Sequence, residues 1–266
     1  MKIVTLVENY VNGSALKAEH GLSIHISDDD GTSILFDAGL SEIYLQNAKS
    51  IGIDISTVDH FVLSHGHCDH SGGLPAFLKV NKKAKIHIKD EAFSPKYYRE
   101  EIFVGMPELA ECDGRIVNND APLQLSRHVS LIPKIAIEDW KNTYFKDLKV
   151  KHLGQLEADT VEEEQFLLIQ KNDELSVLTA CSHRGIKNIL NAAQRISALP
   201  FDLILGGLHL IDSSFEEFQE IEKYFASISP KRLGLSHCTG IDAFSFLRSR
   251  FGERIFYNQT GSQVEI

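Results

Sequence analysis

Four side chains that can bind a metal ion, three imidazoles and a carboxylate, crowd into residues 65–70, which read His-Gly-His-Cys-Asp-His. The apolar run directly before them, residues 61–63, is typical of a short buried strand, so these side chains would lie at a strand end. Imidazole nitrogens and a carboxylate oxygen suit zinc, and also iron or manganese. Gly66 would let the backbone turn sharply between the two histidines. A chance cluster on a solvated loop is the alternative, but the density of ligands and their placement favour a metal site.

The apolar pattern elsewhere predicts strands early in each half of the chain and helices interspersed later. We predict strands over 3–7, 22–26, 33–36, 61–63, 85–88, 128–132, 166–169, 175–179, 202–205 and 232–235, and helices near 40–51, 74–78, 185–196, 214–225 and 243–250. Residues 91–127 read as loop-rich with short helices, and 255–257 with 263–265 as a closing strand pair. This α/β (α+β) order fits two sheets packed face to face and covered outside by helices, in a single domain over residues 1–266.

The composition is that of a globular protein, with 266 residues of which 43% are hydrophobic and 24% charged. Lys and Arg total 27 against 37 Asp and Glu, a net charge of −10, so no large basic surface is available for nucleic acid. No apolar run approaches the roughly 18 residues of a membrane span, and the first ten residues lack the features of a secretory signal. We expect a cytoplasmic protein with a small-molecule substrate and no nucleic-acid or membrane partner; the sequence indicates no oligomeric state.

Three of the four cysteines stand beside candidate metal ligands. Cys68 lies inside the cluster, Cys181 precedes a histidine by two positions, and Cys238 directly follows one. Thiols in such places need a reducing compartment to stay reduced. Cys112 has no such neighbour and reads as a small buried apolar residue, whereas the acidic run 162–164 reads as a solvated patch.

The cluster at 65–70 resembles the His-x-His-x-Asp-His loop that is the signature of the metallo-β-lactamase fold superfamily. Residues 34–39, Ile-Leu-Phe-Asp-Ala-Gly, are similar to its early Leu-Phe-Asp-x-Gly element, which implies that Asp37 supports the metal loop from behind. The resemblance extends over most of the chain and implies a four-layer αβ/βα sandwich with the metals at one edge between the sheets. Segments 19–23, 181–185, 206–210 and 237–240 resemble a narrower branch, often named for a dihydropterin ribofuranosyl-aminobenzene phosphate synthase or as metal-dependent hydrolases.

The resemblance also implies one or two divalent metals, with Zn²⁺ expected and iron or manganese as alternatives. Carried over by position, His65 and His67 would bind the first metal. Asp69 and His70 would bind the second, and His237, after a late strand, matches the second-site histidine near the C-terminus of the superfamily.

The middle of the chain departs from the superfamily pattern. It has no Gly-His-Thr element for the third ligand of the first metal and no Gly-Asp for the bridging carboxylate; instead Cys181-Ser182-His183 follows a predicted strand. We predict that His183 is the missing ligand. Cys181 either bridges the metals as a thiolate or is a buried structural residue, and the sequence favours neither.

His209 follows Gly206-Gly207-Leu208 at the end of a predicted parallel strand, where side chains commonly face the ligand crevice. We predict that His209 is a catalytic pocket group that hydrogen-bonds the substrate or protonates its leaving group. A metal ligand and a packed strand-end histidine are the alternatives. His20 could also line the pocket, whereas four further histidines without a ligand partner at close spacing read as packed or surface residues: His25, His60, His87 and His128.

The leading function is a metal-dependent hydrolase acting on a small substrate that bears a phosphate or carboxylate. Two divalent metals about 3.5–4 Å apart can lower the pKa of a bridging water towards 7, with Asp69 as both ligand and proton acceptor. A transferase that forms a carbon–nitrogen bond on a pterin phosphate precursor, an iron-dependent oxidoreductase and a non-catalytic metal-binding sensor are the alternatives. The intact loop, including Asp69, favours catalysis.

Overall fold

The computed structural model describes residues 1–13, 15–109 and 114–266. Cys112, predicted to be a buried apolar residue, lies outside the described residues. Within those ranges, none of the helices combines the length and the apolar character that crossing a membrane requires.

The strands and helices follow the predicted order closely in both halves of the chain. The helices are α1 (Ile43–Ile51), α2 (Cys68–Ser71), α3 (Leu74–Val80), α4 (Ile186–Ile196), α5 (Phe215–Ile228) and α6 (Ile241–Phe251). The strands are β1 (Lys2–Val7), β2 (Ser23–Ser27), β3 (Ser33–Phe36), β4 (His60–Val62), β5 (Lys85–His87), β6 (Lys96–Tyr98), β7 (Ile102–Phe103), β8 (Ile116–Val117), β9 (Leu123–Gln124), β10 (Val129–Ile132), β11 (Leu148–His152), β12 (Gln155–Ala158), β13 (Phe166–Lys171), β14 (Glu174–Leu178), β15 (Phe201–Gly206), β16 (Arg232–Leu235), β17 (Ile255–Tyr257) and β18 (Gln263–Glu265).

Two seven-stranded sheets form the body of the fold. The first has the order β18-β1-β2-β3-β4-β5-β8 and the second β17-β16-β15-β14-β13-β10-β9. Apolar side chains of both sheets share one core, in which Phe36 and Val62 of the first lie with Leu131, Leu167 and Leu205 of the second. Helices α1 and α3 cover the other face of the first sheet, and α4, α5 and α6 that of the second. The layers therefore run helix, sheet, sheet, helix, which confirms the predicted sandwich.

Helix boundaries follow from local chemistry where the sequence supplies a cap. Ser214 caps α5: its hydroxyl accepts from the amide of Glu217, whose carboxylate in turn accepts from the amide of Ser214. This reciprocal pair satisfies two amides that the first helical turn leaves without partners. The helix begins one residue after the predicted start at 214.

Two expectations about the sheets are wrong. Residues 91–127 were expected to hold loops and short helices, but strands β6 to β9 lie there, and β6 and β7 join the hairpin β11–β12 in a third sheet of order β12-β11-β6-β7. The strands of this third sheet are only two to five residues long, and β7 and β12 are fully exposed. Their sequences therefore do not show the alternation of apolar and polar residues that predicts a strand. Strands β17 and β18 do not pair either: β17 runs parallel to β16 in one sheet and β18 antiparallel to β1 in the other.

A buried ion-pair network joins the third sheet to the loop at 65–70. The ammonium of Lys96 on β6 lies 2.7 Å from Asp159 and 2.9 Å from Glu163. Glu163 also accepts from the amide of Gly66 at 3.1 Å. The acidic run at 162–164 is therefore not a solvated patch, because Glu163 and its neighbour Glu164 are both 1% exposed. Their low exposure reflects polar partners distant in sequence, which local composition does not indicate.

We predict that Lys96→Met lowers the free energy of unfolding by about 3–5 kcal/mol, because it leaves the carboxylates of Asp159 and Glu163 buried without their cation. The matched control is Lys83→Met, which removes a cation paired with Asp59 at the surface, where the side chains are 54% and 37% exposed. That change should cost less than about 1 kcal/mol. Urea unfolding of both variants measures the difference, and equal losses would show that the buried network does not stabilise the fold.

Candidate metal centre

The predicted site residues meet at one edge of the two main sheets. Strands β3, β4 and β5 are parallel, as are β14, β15 and β16, so the carboxyl ends of each set point the same way. The loops that follow these ends face each other across a cavity of about 950 Å³. The structure brings every predicted site residue to this edge: Asp37 after β3, His65, His67, Asp69 and His70 after β4, Cys181 and His183 after β14, His209 after β15 and His237 after β16.

Left-handed backbone recurs at these strand ends. Asp37, Ser182, His209 and His237 have φ of 61°, 59°, 52° and 54°. A residue other than glycine rarely takes this conformation, which costs of order 1 kcal/mol or more and recurs at functional sites. The sharp turn lets neighbours such as Cys181 and His183, on either side of Ser182, both line the cavity.

Gly66 is needed for close packing rather than for an unusual turn. A Cβ at this position would lie 2.5 Å from the carbonyl oxygen of Ala92 and 2.9 Å from Cε of Lys96. The sequence predicts that Gly66 is needed for a sharp backbone turn, but Gly66 does not have the positive φ that would require a glycine. The glycine lets the loop lie directly against the third sheet.

A first group of possible ligand atoms comes from His65, His67 and His183, and these atoms all lie within 4.8 Å of one another. Nε2 of His65 is 3.0 Å from Nδ1 of His67. Nδ1 of His183 lies 3.1 Å from the carbonyl oxygen of Tyr144, which fixes the proton on that nitrogen and leaves Nε2 as an acceptor. Nδ1 of His65 similarly lies 2.9 Å from the hydroxyl of Ser64.

Burial keeps this first group neutral. It lowers the pKa of His67 to about 4 and holds the pKa values of His65 and His183 well below their ordinary value. Neighbouring imidazoles add to the effect at His65 and His183, because two like charges in contact repel each other. A neutral imidazole is the form that binds a metal ion.

A second group centres on the carboxylate of Asp69. Its Oδ2 lies 3.2 Å from Nε2 of His237 and 3.5 Å from Nε2 of His70. Burial disfavours a charge on Asp69, but His70 and His237 outweigh it and hold the pKa of Asp69 well below its ordinary value. Burial likewise opposes protonation of His70, but Asp69 and Asp37 raise its pKa well above the usual value.

Asp37 lies behind the cluster, where the sequence resemblance places a supporting carboxylate. Its Oδ2 is 2.8 Å from Nδ1 of His70, and its two oxygens accept from the amide and the hydroxyl of Ser64 at 2.6 and 2.7 Å. The carboxylate is fully buried. It therefore fixes the orientation of His70 and the start of the loop together.

Cys181 lies between the two groups. Its thiol is 3.2 Å from Nε2 of His70 and belongs to ligand sets with His65 and with His183. The residue is 3% exposed and its thiol is free. Burial raises the pKa of the Cys181 thiol well above its ordinary value in the metal-free protein. Cys181 is therefore close to ligand atoms of both groups.

His209 faces the cavity beside His183, with ring centroids 4.3 Å apart. Its Nδ1 is buried and has no hydrogen-bond partner among the residues that the structure describes. Burial opposes its protonation, but Cys238 raises the pKa of His209 above its ordinary value. A packed histidine would use both nitrogens, so the geometry agrees better with a pocket or ligand role.

Several supporting residues escaped the sequence analysis. Asn9 accepts at 2.9 Å from Nδ1 of His237, and Glu8 accepts from the amide of His237 at 2.6 Å. Both directly follow the buried strand β1. Polar residues directly after an apolar run also mark residues 65–70, so the same signal is present for Glu8 and Asn9. Glu164 accepts from the amides of His183 and Arg184, and burial raises its pKa to about 7 against the effect of these amides. No local pattern marks Glu164.

The other histidines divide as the sequence indicates. His20 lines the cavity, with Nε2 3.4 Å from Oδ2 of Asp69. The four predicted to be packed or surface residues lie away from it: His25 bonds Ser33, His60 stacks on His87, and His128 pairs with Asp28.

The sandwich of two sheets between helices, with imidazoles clustered at the strand ends, offers a set of side chains that could hold metal ions. The sequence model of the Metallo-beta-lactamase superfamily matches residues 19–164. This chain belongs to the metallo-beta-lactamase superfamily.

Three known proteins show how the chain relates to others. It is 30% identical over 271 residues to 7,8-dihydropterin-6-methyl-4-(beta-D-ribofuranosyl)-aminobenzene-5'-phosphate synthase of Methanocaldococcus jannaschii, covering 95% of this chain and 92% of that one. It is 28% identical to a solved structure described as Tm1679, a metal-dependent hydrolase of the beta-lactamase superfamily, with a TM-score of 0.87 over 100% of this chain and 99% of that one. Zn²⁺-bound PqqB from Methylobacterium extorquens shares the fold alone, with 12% identity and a TM-score of 0.59 over the whole of both chains.

Proposed function

We propose that this chain is a metal-dependent hydrolase that cleaves a small anionic substrate in the cavity at the strand ends. The observation that carries the proposal is the convergence of two ligand groups on Cys181: the neutral imidazoles of the first group, and the carboxylate of Asp69 with its two histidines. The free thiols beside these groups support a reducing, cytoplasmic location.

The residues present fit divalent metal ions. Nε2 of His183 is buried without a hydrogen-bond partner within the described ranges. Two ligands on a tetrahedral zinc ion lie about 3.3 Å apart, close to the 3.0 Å between Nε2 of His65 and Nδ1 of His67. Imidazole, carboxylate and thiolate together favour zinc, with iron or manganese as the alternatives.

Each side chain then has a specific task. His65, His67 and His183 would hold one ion, and Asp69, His70 and His237 the other, with Cys181 between them. Bound divalent ions supply positive charge, polarise a substrate oxygen and acidify water at neutral pH. Asp69 is placed to accept the proton of an attacking water, and His209 to hydrogen-bond the substrate or donate a proton to the leaving group.

The cavity supports an anionic substrate despite the net charge of −10. Arg99 and Lys146 line it beside the aromatic ring of Tyr98, but so do the carboxylates of Asp147, Asp212 and Glu217, and Arg99 pairs with Asp147 at 3.5 Å. The positive charge that an anionic group needs would therefore come from the metal ions. A phosphate- or carboxylate-bearing small molecule would bind through them.

A second candidate is a transferase that acts on a pterin phosphate precursor. The observation that favours it is the 30% identity, over nearly the whole chain, to the synthase of M. jannaschii named above. In such a reaction an aromatic amine would take the place of water, and the same two ligand groups would surround the departing phosphate.

The two candidates are separated by product analysis with the metal-loaded protein. Phosphodiesters, lactones and a pterin phosphate precursor are each incubated with and without an aromatic amine in ¹⁸O-labelled water. A hydrolase incorporates ¹⁸O into the product, whereas a transferase forms a carbon–nitrogen bond only when the amine is present. Stoichiometric iron with an optical absorption band would instead favour the oxidoreductase. A protein that binds metal but turns over none of these substrates would favour the sensor.

We predict that His67→Ala and His183→Ala each reduce the metal content from about two ions per chain to about one, because each removes one of about three protein ligands at one position. Inductively coupled plasma mass spectrometry after dialysis measures the content. His60→Ala is the matched control, since His60 lies at the opposite end of β4 and stacks on His87. Full metal content in His67→Ala would contradict the assignment of the first site, and full content in His183→Ala alone would remove only that residue from it.

We predict that His209→Ala keeps its metal but loses a factor of about 10²–10⁴ in kcat/KM, the usual contribution of a general acid. His237→Ala, on the neighbouring strand, should lose metal as well as activity. Metal analysis and steady-state kinetics on one preparation give both quantities. Loss of metal in His209→Ala would make it a ligand, and unchanged kinetics would leave it a packing residue.

A further inference from the structure

A second buried thiol, Cys238, lies against the proposed second metal position and has no task in the function above. Its Sγ, the Sγ of Cys181 and a ring nitrogen of His237 all lie within 4.8 Å of one another. Cys238 is 6% exposed, its thiol is free, and it lines the cavity together with Cys181 and His237.

The backbone is arranged so that two consecutive side chains reach the same cavity. His237 has a φ of 54° and begins a 3₁₀ turn over His237–Thr239, which directs Cys238 inward beside it. On the neighbouring loop, after β15, a Cβ at Gly207 would lie 2.5 Å from Sγ of Cys238. The glycine therefore leaves the room that the thiol occupies, and a larger residue there would displace it.

His237 belongs to two different sets of ligand atoms. One set contains the carboxylate of Asp69 with His20, and the other contains the thiols of Cys181 and Cys238. Carboxylate oxygen suits hard ions, whereas thiolate sulfur selects soft or borderline ones such as zinc, cadmium and ferrous iron. The imidazole of His237 could therefore share a metal ion either with a carboxylate, which favours hard ions, or with two thiolates, which favour softer ones.

We propose that Cys238 and Cys181 both bind the metal ion held by His237, so that the second position carries two thiolates and selects a soft divalent metal. This inference rests on the proposed function, because it concerns the ion that His237 would hold there. The competing explanation is that Cys238 only hydrogen-bonds its neighbours: the imidazole of His209, and the carbonyl oxygen of Cys181, which lies 3.4 Å from its sulfur.

Cobalt substitution counts the thiolates directly. Co²⁺ bound to sulfur shows a sulfur-to-metal charge-transfer band whose intensity rises with the number of thiolate ligands. With Cys181 shared between the two ions, Cys238 supplies one of three cobalt–sulfur bonds. We therefore expect Cys238→Ser to lose about a third of this band, and the double variant Cys181→Ser/Cys238→Ser to lose nearly all of it. Cys68→Ser is the matched control, since this half-buried thiol also lines the cavity but lies outside the set, and it should keep the full band. A full band in Cys238→Ser at unchanged cobalt content would overturn the inference.

Zinc-edge X-ray absorption of the unmodified protein gives an answer that does not depend on a variant folding. Cys181 alone, even when it bridges two ions, supplies no more than one sulfur per zinc. With Cys181 shared between the two ions, binding of Cys238 raises the average to about 1.5 sulfurs per zinc at full loading. An average of one or less would overturn the inference in this form. Failure of the proposed function is distinguishable, because a metal-loaded protein that incorporates no ¹⁸O into any product would contradict the hydrolase and leave the number of sulfurs per zinc unchanged.

Metal competition tests the selectivity that two thiolates confer. In equilibrium dialysis against Zn²⁺ and Mn²⁺ together, Cys238→Ser should lower the preference for zinc on the order of tenfold. The Cys68→Ser control should leave the preference unchanged. An unchanged preference in Cys238→Ser would contradict a role for this sulfur in metal binding, whatever the activity of the variant.

Discussion

Imidazoles, thiols and a carboxylate buried against one another are the constraint around which the rest of this molecule is organised. His65, His70 and His183 are no more than 1% exposed, and Asp69 holds three histidines within 3.5 Å of one oxygen. A buried polar atom without a partner costs about 1–3 kcal/mol, so a cluster with orphaned nitrogens opposes folding unless a cation satisfies it. The two sheets supply the apolar burial that holds the cluster together, and metal ions would offset its cost.

The cluster is held from behind by hydrogen bonds that fix each imidazole. Asp37 binds His70, Asn9 binds His237, and the carbonyl oxygen of Tyr144 binds His183, in each case at Nδ1. With Nδ1 engaged, Nε2 of each of these rings is directed at the centre. Such partners usually change metal affinity by about 10–100-fold when they are removed. The geometry therefore depends on residues from both halves of the chain, far from the loop at 65–70.

How much of this the sequence predicts depends on the range of the interaction. The loop at 65–70, the strands before it and the helices behind it follow from local patterns, and so does the place of His209 at a strand end. Assigning His183 and His237 to the site required the family resemblance as well. The third sheet does not, because β7 and β12 are short and exposed and their pairing is non-local. Glu163 and Glu164 were misread for the same reason: their partners, Lys96 and the amides after Ser182, lie 67 and about 20 residues away. Glu8 and Asn9 directly follow the buried strand β1, and polar residues directly after a buried strand are the same local signal that marks residues 65–70.

The central claim is that two divalent ions lie on either side of the Cys181 thiol. Anomalous diffraction at the zinc edge, from crystals of the zinc-loaded protein, tests this most directly, because it locates the ions without reference to activity. The account predicts two peaks, one among His65, His67 and His183 and the other beside Asp69, His70 and His237, with Sγ of Cys181 between them. A fully loaded crystal with no peak at the strand ends, or with zinc only elsewhere on the molecule, would contradict it.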